Sequence, residues 1–189
     1  QLPLEQVPFV QKQILDAANK RGKISITATE MLQSMKTSYR PSRAEVTDIT
    51  NAILEGSDAV MLSAETAIGD NPNRVVEVMS LICKETDSRN DTSSLLSKED
   101  LKEDSITTTL ARAAVQVANE INASSIIAFT ETGRTPLLIS NFRPKSEIIT
   151  FTTKKKTLNQ MNLLWGVDQF LIQREEHFSE MLKLSLIHI

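Results

Sequence analysis

A parallel α/β fold built in two successive halves is the architecture this sequence predicts, and three observations predict it. Helical and strand-like apolar runs alternate along most of the chain, the pattern of parallel strands joined by crossover helices. The strand-like runs are short and β-branched, as suits buried parallel strands. Between the halves, residues 86–104 read TDSRNDTSSLLSKEDLKED, with almost no apolar periodicity, and this marks a domain boundary.

Taken in order, Val7, Val10, Ile14, Leu15 and Ala18 recur at helical spacing, and Gly22 behind Lys20 and Arg21 ends that helix. Residues 24–29 form the first strand. Pro41 interrupts the next stretch, after which RAEVTDITNAILEG gives a second helix with Ala44, Ile49, Ala52 and Ile53 inward and Gly56 as its stop. Residues 58–62 form the second strand. Pro72 stands at the start of a third helix, whose apolar face comes from NRVVEVMSLICKE. Beyond the boundary, ITTTLARAAVQVANEINA is an alanine-rich helix, SSIIAFT a strand, TPLLISNFRP a short helix closed near Pro144, EIITFTT a strand, KKKTLNQMNLLWG a helix and DQFLIQR a strand.

With 189 residues the chain holds one full domain or two partial ones. No apolar run approaches the roughly 18 residues of a membrane span, so a membrane protein is excluded. A formal net charge of -3 offers no basic face for a nucleic-acid backbone. The single cysteine, Cys83, sits at an apolar helical phase and reads as core packing, which makes a reducing, cytoplasmic compartment the default. The chain opens on Gln1 without a signal-peptide pattern and reads as a cut. Residues 184–189, LSLIHI, look like a translated sequencing adapter and are excluded from fold reasoning, so His188 carries no function. Trp165 ends an apolar helical stripe and is expected in the core. Lys154, Lys155 and Lys156 read as a solvated face, and His177 has no visible ligand partner.

Two places hold chemistry. Both strands of the first half end in polar clusters, Thr27, Thr29 and Glu30 after one and Ser63, Glu65 and Thr66 after the other. Active sites of parallel α/β folds form beyond the carboxyl ends of strands, yet the same residues also serve as helix caps. In the second half, TETGRT lies between a strand and a helix. Its hydroxyls, glycine and amides suit a phosphate, or an ordinary turn.

The stretches TATEMLQSM, RPSRAEVTDITNAILEGSDAVMLSAETAIGDNP and FTETGRTPLLISNFRP resemble, in order and spacing, the signature stretches of pyruvate kinases. The resemblance implies a partial (β/α)8 TIM barrel, its last two strand-helix units, in residues 1–88. A linker at 89–104 then leads to a truncated three-layer α/β C-terminal domain at 105–183. It implies that Thr29 handles the phosphoryl group and proton beside phosphoenolpyruvate, with Ser63 and Glu65 ordering water and side chains near the site of enolate protonation. Arg43 and Glu45 match a segment near a subunit contact. Thr130, Glu131, Thr132, Gly133, Arg134 and Thr135 match the loop that binds the phosphate of a sugar-phosphate activator. Two departures stand out in the first half: Ile68 where many relatives have a nucleotide-associated lysine, and Glu30 where many have glutamine. Glu131 likewise replaces a lysine of many relatives.

The implied parent transfers phosphate from phosphoenolpyruvate to ADP with Mg2+ and K+, as a homotetramer. The metal-binding and potassium-binding motifs come from earlier strands and do not occur in this sequence, so the fragment itself is expected to be inactive. Two strands of eight leave open sheet edges that invite mispairing, and the first half is expected to be unstable or to aggregate when expressed alone, which a cooperative melting transition with protected amides in residues 24–62 would contradict. The alternative reading is a non-enzymatic module that binds a sugar phosphate.

Overall fold

The computed structural model describes residues 2–28, 30–89 and 106–173. The chain divides into two units, residues 1–102 and 103–189. The first runs α1 (Val7–Asn19), β1 (Ile26–Thr27), α2 (Arg43–Leu54), β2 (Ala59–Val60), α3 (Ala64–Ala67) and α4 (Pro72–Arg89), with a 3-10 turn at Gln33–Lys36 in the loop after β1. Helix starts and stops follow local chemistry. Pro72 opens α4, where its missing N–H costs nothing and its fixed φ suits the first turn. Gly56 follows α2 with φ 96°, the left-handed conformation that favours glycine at a helix end.

β1 and β2 pair in parallel, Ile26 with Ala59 and Thr27 with Val60. They are shorter than the five- or six-residue strands expected from the sequence, the pairing ending where the Met61 amide donates to the Thr27 carbonyl at 2.9 Å. Below them, Asp58 accepts hydrogen bonds from the Ser25 amide at 2.8 Å and its hydroxyl at 3.3 Å. The core of this unit gathers Ile49 and Ile53 from α2, Val75, Val78 and Met79 from α4, and Met31, Leu32 and Met35 from the loop after β1. That loop is therefore anchored by its own side chains, a packing role that strand and helix periodicity did not reveal.

Several expected burials are revised. Leu15 is buried on α1, but Val7 and Ile14 are exposed, alongside Phe9 and Leu4. On α2 the inward positions Ile49, Ala52 and Ile53 stand, whereas Ala44 is exposed and its neighbour Glu45 is buried. The reason is a capping box, in which Glu45 turns back over the helix N-terminus. α4 runs three residues past Thr86, to Arg89, and buries Thr86, whose hydroxyl donates to the Ile82 carbonyl at 2.8 Å. The change of composition at residue 86 thus falls inside a helix. Residues 90–104 of the expected linker, His177 and the tail at 184–189 lie outside the described residues.

The second unit runs α5 (Ile106–Glu120), β3 (Ser125–Phe129), α6 (Arg134–Asn141), β4 (Glu147–Thr152), α7 (Lys155–Met161) and β5 (Val167–Leu171). Its strands form one parallel sheet in the order β3-β4-β5. β4 lies in the middle and is buried from Ile148 through Thr152, which explains its continuous apolar and β-branched run. One face of the sheet presents Ile148 and Ala128 to Ala111 and Val115 of α5 and to Leu138 and Ile139 of α6. Register places Phe129, Phe151 and Phe170 side by side across the three strands, with ring centroids 5.4 and 5.7 Å apart. Trp165, expected in the core, is only half-buried; the Arg143 guanidinium lies 4.9 Å from its ring centroid, and the neighbouring Leu164 is buried instead. Cys83 is half-buried against the first core. Burial pushes its thiol above the ordinary range, with the Asp87 carboxylate acting in the same direction, so it is not poised as a thiolate. Among the described residues no helix is long and apolar enough to cross a membrane.

Candidate active site and phosphate loop

The carboxyl ends of β1 and β2 feed two loops that meet. After β1 the chain passes Ala28, Thr29 and Glu30 and descends into the core through Met31 and Leu32. Thr29 itself lies outside the described residues. Glu30 adopts φ 55° and is exposed, a left-handed turn that redirects the chain at a cost of about 1–2 kcal/mol for a non-glycine residue.

After β2, Ser63 precedes α3, a single helical turn carrying Glu65. Ser63 does not cap that turn with its side chain; only its carbonyl is used, accepting from the Ala67 amide at 3.0 Å and the Thr66 hydroxyl at 3.1 Å. The capping interpretation therefore fails for Ser63, and its half-buried hydroxyl remains available for other work. Gly69 closes the turn so tightly that a Cβ there would lie 2.2 Å from the Glu65 carbonyl oxygen, so only glycine fits.

Glu65 is wholly buried. Its Oε1 accepts a 3.4 Å hydrogen bond from the Leu32 amide in the other loop, while Oε2 is buried with no hydrogen-bond partner among the described residues. A buried carboxylate oxygen without a donor is costly, and such groups concentrate where a proton, water or ligand is to be met. Glu65 thus ties the two strand ends together and keeps one oxygen in reserve.

Glu45 was expected with Arg43 near a subunit contact. Within the chain its carboxylate accepts from the Ser34 amide at 2.6 Å, the Ser34 hydroxyl at 2.5 Å, the Ser42 amide at 2.7 Å and the Ser42 hydroxyl at 2.9 Å. Burial pushes its carboxyl up, but these four bonds outweigh burial and hold it below the ordinary carboxylate range. Arg43, in the first turn of α2, is exposed, as is Ile68 at the end of α3. Sequence reasoning missed Ser34 and Ser42; the pattern of serine three residues before glutamate, Ser42 to Glu45, was the signal that pointed to the capping box.

In the second unit the candidate phosphate loop runs from the end of β3 to the start of α6. The Thr130 hydroxyl accepts from the Gly133 amide at 2.9 Å, and Gly133 sits at φ 81° at the N-terminus of α6. A Cβ at 133 would find ordinary contacts, 3.5 Å from Met161 and Thr157, so it is backbone conformation rather than space that selects glycine. Thr132 and Arg134 are exposed and Thr135 half-buried. Glu131 is spoken for: its carboxylate pairs with Lys154 at 3.0 Å, and its carbonyl accepts from the Thr157 hydroxyl at 2.9 Å. Lys154, Lys155 and Lys156 are all exposed as expected, and Lys154 forms this surface bridge. Among the described residues no group of three His, Cys, Asp or Glu side chains is placed to hold a metal ion.

Comparison with known proteins agrees with this arrangement. Residues 1–76 match the sequence model of the pyruvate kinase barrel domain, and residues 108–189 that of the pyruvate kinase alpha/beta domain. The chain is 39% identical to the pyruvate kinase of Eimeria tenella, covering 98% of this chain and 36% of that protein. It is 42% identical to pyruvate kinase 2 of a Synechocystis species, over 91% of this chain and 29% of the relative. A crystal structure of a pyruvate kinase from Cryptosporidium parvum superposes with a TM-score of 0.92 at 36% identity, over 99% of this chain and 38% of the other. The Cryptosporidium parvum pyruvate kinase in complex with ADP gives a TM-score of 0.85 at 37% identity, over all of this chain and 38% of the other. The chain thus spans roughly a third of the length of these relatives. With two parallel strand ends joined through Glu65, a second parallel α/β unit carrying TETGRT, and both domains matched in order, the chain belongs to the pyruvate kinase family.

Proposed function

We propose that these residues are the late barrel strands and C-terminal domain of a glycolytic phosphotransferase that moves phosphate from phosphoenolpyruvate to ADP in the cytoplasm. The observation that carries the proposal is the Glu65 bridge: a wholly buried carboxylate that links the loops of two adjacent parallel strands and leaves one oxygen unpartnered. That is where a reaction that protonates an enolate needs groups able to order water and relay a proton. In this reading Ser63 and Glu65 support the proton path, and Thr29 stabilises the transferred group.

Mg2+ and K+ belong to the parent reaction, where they neutralise charge on the phosphoryl group. The ligands for both ions are proposed to come from barrel strands outside this stretch, and the stretch on its own is proposed to be inactive. Exposed Ile24, Ile26 and Met61 beside the two-stranded sheet support the same view, because they are surfaces that further barrel strands would cover. Arg43 and Glu45 lie in a segment near a contact within a homotetramer.

Expected outcome: in the full-length enzyme, Thr29→Ala lowers turnover by about tenfold or more through lost charge stabilisation and positioning, measured by coupling pyruvate formation to its reduction. Wild-type turnover in the variant removes Thr29 from the catalytic set, and an inactive wild type sinks the whole reading.

The loop of Thr130, Glu131, Thr132, Gly133, Arg134 and Thr135 is proposed as a regulatory site for a sugar phosphate. Hydroxyls and amides at the α6 N-terminus suit a phosphate, while the Glu131 carboxylate on Lys154 occupies a cation that an entering phosphate would otherwise meet. A sugar monophosphate is therefore favoured over a bisphosphate. Isothermal titration of the full-length protein with both classes is expected to give heat with the monophosphate; no heat with either rejects the site.

A further inference from the structure

The loop after β1 is gripped by two carboxylates from different elements. Glu65 on α3 accepts from the Leu32 amide, and Glu45 on α2 accepts from both the amide and the hydroxyl of Ser34. Leu32 and Met35 fill the core on the inner side of the same loop. The Asp70 amide donates at 2.9 Å to the Lys36 carbonyl, closing the turn at its far end. Every second residue of the turn is thus tied to a neighbouring element, and the ties converge on one segment just downstream of a strand end.

Helix capping alone does not require this. Ser42 and Glu45 complete the capping box of α2 by themselves, and the two bonds from Ser34 are additional to it. Those two are the shortest that Glu45 makes, at 2.5 and 2.6 Å.

On the basis of the function proposed above, we infer that Glu45 is a positioning residue of the phosphotransfer site, acting through Ser34 to hold the β1 loop at the height where its strand-end residues meet substrate. Glu45 touches no substrate. Its role is to make the loop rigid before substrate arrives, so that binding does not have to order it.

The test separates the two halves of Glu45's network in the full-length enzyme. Ser34→Ala removes the hydroxyl bond to the loop and leaves the capping box; Ser42→Ala removes the cap hydroxyl and leaves the loop bonds. Ser34→Ala is expected to lower kcat about tenfold, since small displacements of positioned groups carry effects of that order and more, with KM for phosphoenolpyruvate nearly unchanged. It also speeds amide exchange in residues 31–36. Ser42→Ala is expected to lower Tm while kcat stays within about twofold of wild type.

An active wild type in which kcat of both variants tracks only their loss of Tm overturns the inference and leaves the proposed function standing. Wild-type kcat in Ser34→Ala overturns it as well. A wild type without phosphotransfer activity sinks the functional reading and this inference with it, and is recognised by the absence of turnover before any substitution is made.

Discussion

Truncating Phe151 to alanine is expected to destabilise the second unit by about 3–5 kcal/mol, the range for removing a large aromatic side chain from a packed core. Phe151 is 1% exposed and occupies the central strand, between strand partners that place Phe129 on one side and Phe170 on the other. Two costs combine. The transfer and cavity terms arise from the ring itself, and each lost stacking contact adds about 0.5–1.5 kcal/mol. The surroundings have little freedom to collapse into the gap, because β4 is held by ladders on both edges. Denaturant unfolding of the full-length protein, followed by amide exchange in residues 147–152, measures the effect. A loss below about 1 kcal/mol, well under the usual range for such truncations, would show that the aromatic row is not the centre of this core. Phe151→Leu keeps most of the volume but loses both ring contacts, and is expected to cost about 1–3 kcal/mol.

Glu45 governs the second large effect, a dependence of stability on pH. Burial raises its carboxyl pKa, but the hydrogen bonds from Ser34 and Ser42 lower it further, and the net folded value lies below the ordinary one. The unfolded chain therefore binds the proton more readily than the folded one. Stability from this group is fully present above the unfolded value of about 4.3 and is lost as pH falls through the depressed folded value. Glu45→Gln keeps the shape but removes the charge and presents an NH2 group to donors. At pH 7 it is expected to destabilise by about 1–2 kcal/mol, the cost of losing charge-assisted bonds to the partly buried Ser34 and Ser42 donors. The gap between the wild-type and Gln curves should close as the pH is taken well below 4. A gap that stays constant down to the acid limb would mean that the carboxylate is not ionised in the folded protein.

How much of this was legible beforehand depends on the range of the interaction involved. The ends of α2 and α4 could be read from Gly56 and Pro72, since glycine tolerates the left-handed φ of a helix stop and proline fixes the φ of a first turn regardless of what packs nearby. The alternation of helix and strand, and the parallel pairing that follows from it, could be read from short apolar runs between amphipathic ones. The TETGRT loop could be placed between a strand and a helix for the same reason. Ala44 and Glu45 could not be sorted by periodicity. An apolar residue and a charged one sit side by side on α2, and the charged one is buried because two serines, one three residues away and one eleven residues away, supply four donors.

The sequence by itself determined the order of elements, the helix boundaries set by glycine and proline, and membership of a family through motifs spaced along the chain. The tertiary structure alone decided which polar groups are buried and what they hold. Glu65 reaches across 33 positions to the Leu32 amide, Lys154 across 23 to Glu131, and of the apolar residues of α1 Leu15 is buried while Val7 and Ile14 stay exposed. Local rules act within a turn of backbone and survive any fold. Burial and pairing depend on surfaces brought together from distant segments, and no window of sequence contains both sides of such a contact.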